Sequence, residues 1–583
     1  MPSGEVISVL AAMDRKSFFL GLLCLSAAFG LIYFQRAQVR PTALQPEITS
    51  TEITTQAEDF FPESPAAEAA LESPTAVWDL STPCLSLENE EIRVQIHLAS
   101  AAIREVALKK YPFKKGSPEP FIFNHGAPMP ALELQLGHTG ERPQYELLSQ
   151  DARQLRFLGR YPNGLSVERS YRLSDPDNPK EDPYVIHQQL RWENRGPRPQ
   201  ALQDLKLSLG QIPSSAGDLA GDFLNFGHFN GKKAFFVPHG DFSQSSGFLG
   251  FGKREARAEI RATGTIRWGS LKNQFFCSIL TPSSAAAGYL FRPTESPSSE
   301  GMTGSLVFQL GQLQAQEQKS LGLEFYVGPK DFVRLDRLGL EQDRVMQFGL
   351  FGFVSKLLLL LMKAIHCLIP NWGLTIIAVT LLIRLLLWPL TRAQVRSSKQ
   401  MALVQEPLKQ LRERYKGQPQ KLQTETLKLF KENQVNPAAG CLPVLIQIPI
   451  FLGLYGMLRT ATDLRFAEFL WIRDLSRPDT LVHLGRFPLN LLPWLMSLST
   501  FWQMRMSLAP TLDPMQRRLF QWMPLLFLFF CYNLPAGLIL YWTVQNILSI
   551  IQQRRLAGEI PPHPLTRIHP ASPKGKKSSS PKA

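Results

Sequence analysis

Apolar positions alternate along one part of the chain and cluster into long runs along another. Ile92-Arg93-Val94-Gln95-Ile96-His97-Leu98 alternates apolar and polar residues, the period-two mark of a half-buried strand. Similar runs occur at 165–173, 184–192 and 202–209. Between the first two lies Asp175-Pro176-Asp177-Asn178-Pro179, a cluster that favours turns. This pattern predicts an all-β, water-soluble domain over residues 77–330, large enough for a sandwich. No internal repeat is visible. From residue 348 the period is lost and apolar runs dominate, at 348–369, 372–390, 441–458, 488–504 and 519–552.

The first of these runs carries Lys356, Lys363 and His366 at spacings of seven and three, which puts them on one helical face. It is expected to lie along a membrane surface as an amphipathic helix. The second has one charge, Arg384, and is expected to span. The run 519–552 has 34 residues, about 51 Å as one straight helix against a hydrocarbon core of roughly 30 Å. Asn533-Leu534-Pro535-Ala536-Gly537 near its middle predicts a hairpin of two short crossings. Near the N-terminus, 17–34 is an uncharged apolar run of 18 residues preceded by Arg15-Lys16. This reads as an anchor with a cytoplasmic N-terminus; a signal peptide cleaved near Ser26-Ala27-Ala28 is the alternative. Met13-Asp14-Arg15-Lys16 resembles a natural start, so Met1 and Met13 both stand as candidates.

The organisation that follows is an anchor at 1–40 and a disordered Pro/Glu-rich linker at 41–76. The β domain at 77–330 comes next, then a connector with the interfacial helix at 331–370. A membrane core at 371–553 contains a helical hairpin at 391–435, and a basic disordered tail fills 554–583. Charge sets the topology. Segment 391–440 has ten Lys/Arg and four Asp/Glu, 459–487 has five and four, and 554–583 has seven and one. The positive-inside rule places the first and last in the cytoplasm. With a cytoplasmic N-terminus this needs an even number of crossings, and six satisfies it only if 519–552 crosses twice. In the hairpin, Met401, Val404, Leu408, Leu411 and Tyr415 follow a 3-4-3-4 spacing, a narrow apolar seam. Leu422, Leu429 and Phe430 are expected to face it across the turn Lys416-Gly417-Gln418-Pro419.

Composition changes this picture only slightly. The 583 residues are 19% charged with a net charge of +14, which excludes a disordered chain, a collagen-like repeat and a small disulfide scaffold. The mean hydropathy of −0.08 averages polar and apolar regions. The six cysteines show no metal or redox spacing, and only Cys84 and Cys277 have surroundings in which a pair is plausible.

A search for catalytic motifs finds no His-Glu-x-x-His, Gly-x-Ser-x-Gly or Cys-x-x-Cys. Gly247-Phe248-Leu249-Gly250-Phe251-Gly252-Lys253-Arg254 approaches a phosphate-binding loop, but Arg254 stands where Ser or Thr binds magnesium. A glycine-rich turn explains it. No metal site, cofactor or enzymatic activity is expected. Arg384 is the sharpest feature, because an arginine at membrane depth is costly and must face protein, water or the surface. Snorkelling is the alternative, since the helix end lies only about 9 Å away. Thr380 lies one turn earlier on the same face. Gln447, Ser497, Ser499, Thr500, Gln503, Gln545 and Asn546 add uncharged polar groups at membrane depth. No acidic residue lies there to pair with Arg384, so the expected arrangement is a wet, unpaired cation in a binding groove. Basic faces of 391–435 and the tail suit anionic lipid or ribosomal RNA; solvation alone also explains them.

Several motifs now combine. Asn371-Trp372-Gly373 precedes Arg384 and Pro389-Leu390-Thr391. Asn436-Pro437-Ala438-Ala439-Gly440-Cys441-Leu442-Pro443 precedes Gln447-Ile448-Pro449. Pro535-Ala536-Gly537-Leu538-Ile539-Leu540-Tyr541-Trp542 precedes Asn546, and Tyr326-Val327-Gly328-Pro329-Lys330 closes the strand region. In this order they resemble the YidC/Oxa family of membrane protein insertases, in its bacterial branch with a large periplasmic domain. The resemblance implies a polytopic α-helical membrane protein of six crossings with a five-helix core, and a periplasmic β-supersandwich. It implies a hydrophilic groove holding Arg384, with substrate contacts at Thr380, Tyr541 and Trp542; Gln447 and Gln503 are added from their depth and polarity. Trp542 stands where many relatives have a second Tyr, and Ala99-Ser100-Ala101-Ala102 where relatives often have a Gly-Gly turn. The implied function is insertion and chaperoning of nascent membrane proteins in the bacterial inner membrane, alone or with the Sec translocon. The ribosome and the signal recognition particle pathway are further implied partners, and a monomer is expected to suffice. A solute transporter would need internal symmetry or paired ionisable groups. A membrane-anchored sugar enzyme would need catalytic carboxylates in the β domain. Neither feature is visible.

Overall fold

The computed structural model describes residues 83–559, apart from 138–141, 176, 216–217, 219–220, 244–255, 297–298, 434–441, 486 and 508–513. The expected anchor and linker, the glycine-rich run 247–254, most of the 436–443 motif and the tail beyond 559 lie outside the described residues. Among those described, 83–352 with 459–465 form a strand unit, and 353–458 with 466–559 form a helical unit.

The strand unit is built on antiparallel sheets. Nine strands pair in the spatial order Ala234–Pro238, Asn225–Phe229, Trp268–Lys272, Phe276–Pro282, Gln318–Pro329, Val185–Asn194, Leu165–Leu173, Gln154–Arg160 and Gln144–Gln150. A second sheet orders Ile260–Ile266, Ala286–Ser296, Ser299–Phe308, Leu205–Pro213 and Leu134–Gln135. Face-to-face packing is tight at Gly269, where an added Cβ would lie 2.8 Å from Leu306 Cδ2 of the second sheet. A four-stranded sheet, Cys84–Glu88 to Pro120–Phe123, adds Phe123 against Phe325 with ring centroids 6.1 Å apart. The predicted strands are present with shifted ends. The run 202–209 divides into Gln200–Leu202 and Leu205–Pro213, because Asp204 takes a left-handed φ of 53° that interrupts pleating. Cys84 and Cys277 are not joined to each other by a disulfide.

One buried arginine holds two corners of this unit. Arg169 donates to the carbonyls of Ser100 (3.0 Å) and Leu132 (2.5 Å) and to Tyr171 Oη (2.7 Å), while Tyr171 donates to Ala101 O (2.7 Å). Ala101 and Leu132 have φ of 48° and 58°, a region disfavoured for L residues. The turn at 99–102 is therefore left-handed at Ala101, and the guanidinium and phenol tie its carbonyls in place.

Short helix α1 (Phe332–Arg337) closes the strand unit, its N-terminus capped by the Asp331 carboxylate. The helical unit follows as α2 (Gly352–Leu368), α3 (Trp372–Leu386), α4 (Trp388–Leu403), α5 (Gln405–Arg414), α6 (Pro419–Glu432), α7 (Leu442–Leu458), α8 (Leu491–Ser507), α9 (Pro514–Cys531) and α10 (Ala536–Glu559). The expected single span 372–390 is bent by 61° between α3 and α4. Pro389 is the cause: it has no N–H for the carbonyl of Leu385 and suits the first turn of a new helix. Among the described residues no single helix is long and apolar enough to cross a membrane, although the bent pair α3–α4 together is. The run 519–552 does divide, at residues 532–535.

The motif Asn371-Trp372-Gly373 has a local logic. Asn371 caps α3 by accepting from the Leu374 N–H (3.0 Å), and Trp372 stacks on His366 of α2 at 3.8 Å. A Cβ on Gly373 would lie 2.1 Å from the Phe469 ring. The start of α10 is anchored comparably, with the N–H groups of Ala536 and Gly537 donating to the carbonyls of Arg477 and Leu475 at 2.7 and 2.9 Å. At α8, the Asp479 carboxylate accepts from Leu492 N–H (2.6 Å) and Trp471 Nε1 (3.1 Å).

Candidate functional site around Arg384

Helix α10 presents Tyr541, Gln545, Ser549, Gln552 and Leu556 at spacings of four, four, three and four, so these side chains share one stripe. Arg384, in the last turn of α3, meets this stripe. Its Nε donates to Gln545 Oε1 (2.8 Å) and its Nη2 to the Gln545 carbonyl (3.2 Å) and to Ser549 Oγ. The network continues: Gln545 Nε2 donates to Gln447 Oε1 on α7 (2.9 Å), and Gln447 Nε2 donates to Tyr541 Oη (2.5 Å). Three helices are thus joined through one cation and four neutral side chains.

Arg384 is held by neutral oxygens of Gln545 and Ser549, and no carboxylate among the described residues pairs with it. The charge is oriented but not neutralised. Its position in the last turn of α3 also lets the helix carbonyls favour it.

The other candidates divide. Gln447 and Tyr541 join Arg384 through Gln545. Thr380 is fully buried, and its hydroxyl donates to the Ile376 carbonyl of its own helix (2.6 Å); it offers a methyl group rather than a hydroxyl. Trp542 points elsewhere, wedged edge-on between Phe451 (4.8 Å) and Phe527 (5.1 Å). Gln503 on α8 is half-buried, and no hydrogen bond joins it to Arg384 among the described residues. Asn546 forms a separate link, donating to Ser499 Oγ (3.0 Å) and Thr500 Oγ1 (2.8 Å) on α8. Sequence reasoning passed over Ser549 and Gln552, although their four- and seven-residue offsets from Gln545 were a usable signal.

Two family models match adjoining parts of the chain: the YidC periplasmic domain over residues 85–361 and the 60Kd inner membrane protein over 364–561. A membrane protein insertase YidC of Syntrophobacter fumaroxidans is 38% identical over 51% of this chain and 55% of its own length. Comparable matches cover 53% and 57% of two further relatives, so the chain spans about half the length of these curated relatives. One from Histophilus somni (strain 2336) is 27% identical over 93% of this chain and 97% of its own. A solved structure of an active YidC insertase with its first transmembrane domain resolved aligns over 82% of this chain and 94% of its own at 19% identity, with a TM-score of 0.32. On the two adjoining family models and the relative aligned across nearly its whole length, the chain belongs to the YidC family.

Proposed function

We propose that this protein is a membrane protein insertase and chaperone of the bacterial inner membrane. Its substrates are nascent membrane proteins, taken up alone or beside the Sec translocon, with the ribosome and the signal recognition particle pathway as sources. The observation that carries this reading is the uncompensated charge of Arg384 on a polar stripe between apolar helices. A guanidinium held, among the described residues, by neutral groups keeps its attraction for the acidic or polar part of an entering segment. Gln447, Gln545 and Tyr541 extend that polar path, while Thr380, Trp542 and Gln503 stand as further substrate contacts outside the hydrogen-bonded network. The apolar part of the segment then passes into lipid. Burying about twenty apolar side chains at roughly 1.5–3 kcal/mol each provides tens of kcal/mol, so the step needs no cofactor and no enzymatic turnover.

The topology that suits this reading has six crossings, cytoplasmic termini and the strand domain in the periplasm. The basic faces of α4–α6 then meet anionic headgroups, and one copy of the chain suffices. The test is complementation of insertase-depleted cells with Arg384→Ala, Arg384→Lys and Arg384→Glu. Arg384→Glu is expected to abolish insertion and growth, with Arg384→Lys retaining part of both. Wild-type growth and insertion with Arg384→Glu would overturn the reading.

A further inference from the structure

On the α10 stripe, Tyr541, Gln545 and Ser549 each have a hydrogen-bond partner in the Arg384 network. Gln552 does not. It is 4% exposed, and neither its Nε2 nor its Oε1 has a hydrogen-bond partner among the described residues. It lies three residues beyond Ser549. Four residues further on, Leu556 packs with Val395 and Trp388 of α4. The carboxamide therefore sits between an apolar layer and the acceptors of Arg384, next to the bend that joins α3 to α4. An unmet donor and an unmet acceptor in one buried side chain are both unfavourable, and a ligand offering both partners would relieve both.

We propose that Gln552 is a docking position for a main-chain amide of the entering polypeptide, with Oε1 accepting from its N–H and Nε2 donating to its C=O. The inference rests on the insertase reading above and names the chemistry that such a site recognises. An insertase takes chains of unrelated sequence, and the group common to all of them is the peptide unit. A primary carboxamide matches that unit with one donor and one acceptor side by side. Turning it over exchanges the two, so either chain direction is accommodated. The need is physical, because an extended segment entering hydrocarbon carries unmet N–H and C=O groups until it becomes helical. A paired amide beside Arg384 lowers that cost at the point of entry.

The test uses the full-length protein in proteoliposomes and a small single-span substrate. The substrate is prepared as a series in which successive backbone amides are replaced by esters, removing one N–H at a time. Wild-type protein is expected to insert one or two adjacent ester substrates about three- to tenfold less well than the all-amide chain. Gln552→Met, of similar volume but without the donor and acceptor, is expected to insert all of them equally, and Gln552→Asn to show a weakened version of the wild-type profile. A wild-type scan with no sensitive position overturns the proposal, and this arm does not depend on how any variant folds. A Gln552→Met or Gln552→Asn profile as deep as that of wild type overturns it as well. Arg384→Ala separates the two ideas: unimpaired insertion of every substrate by that variant defeats the underlying reading, whereas impaired insertion together with an ester profile indifferent to residue 552 defeats only the role of Gln552.

Discussion

His228 and Glu133 are both buried in the strand unit, and they pull its pH dependence in opposite directions. His228 is enclosed by Phe226, Phe235 and Tyr289, with ring centroids 6.1, 5.2 and 4.5 Å away. Burial lowers its pKa to about 4 from 6.5. In that window the unfolded chain binds the extra proton, so stability is lost as pH falls from about 6.5 to about 4. The carboxyl of Glu133 is pushed up to about 7 from 4.5 by desolvation, which outweighs the attraction of Arg169 and Arg142. There the folded chain binds the extra proton, and stability is lost as pH rises from about 4.5 to about 7. Each shift corresponds to about 3 kcal/mol at full effect, and the two offset each other near pH 5 to 6. His228→Phe should therefore make the strand unit gain stability on acidification from pH 7 to 5, and Glu133→Gln should make it lose more than wild type. Denaturant midpoints followed by the buried Trp192 and Trp268 at the two pH values check both signs. Neither residue was singled out by its sequence context, because a burial this complete is created by strands from elsewhere in the chain.

Within elements, local pattern was a good guide wherever the partner was also local. The seam predicted for the 391–435 hairpin is present: Val404, Leu408 and Leu429 form a buried cluster with Met401, Leu411 and Phe430 against it. Tyr415 and Leu422 do not join it, since the pattern records apolarity and not the crossing of the two helices. Gly417 makes the turn with φ of 91°, as its place before Gln418-Pro419 suggested. The bend at Leu387 was missed because apolarity continues across it, although Pro389 already carried the signal. Gly373 shows how a single residue sets an element-level contact. Gly373→Ala drives a methyl group into Phe469 and is expected to lower the stability of the helical unit by about 1–3 kcal/mol. Phe469→Ala should remove that cost, so the double variant unfolds close to Phe469→Ala alone. Thermal midpoints in detergent for the four proteins give the coupling, and additive losses would mean that the close contact is absent.

For the whole molecule, the two-part organisation separates a strand unit from the helices that carry Arg384. The insertase reading places its chemistry in the second part alone. Removing most of residues 77–320 is therefore expected to leave substantial insertion in complemented cells, while Arg384→Glu in the full chain removes it. Total loss of insertion by a deletion variant that still reaches the membrane would shift the function toward the strand unit. An enzyme acting through that unit predicts this loss.

By itself the sequence determined which parts are strand and which are helix, that one cation stands in an apolar helix, and where the long final run must break. These follow from period, length and charge, which are properties of neighbouring residues. What holds that cation depends on how distant helices pack. The acceptors Gln545 and Ser549 lie 161 and 165 residues from Arg384, and many other polar side chains in the helical runs were equally eligible. That packing also decided that the Thr380 hydroxyl turns back on its own helix and that Gln552 is buried without a partner among the described residues. A hydrogen bond depends on distance and angle to within a few tenths of an ångström, and that geometry arises only when separate helices pack.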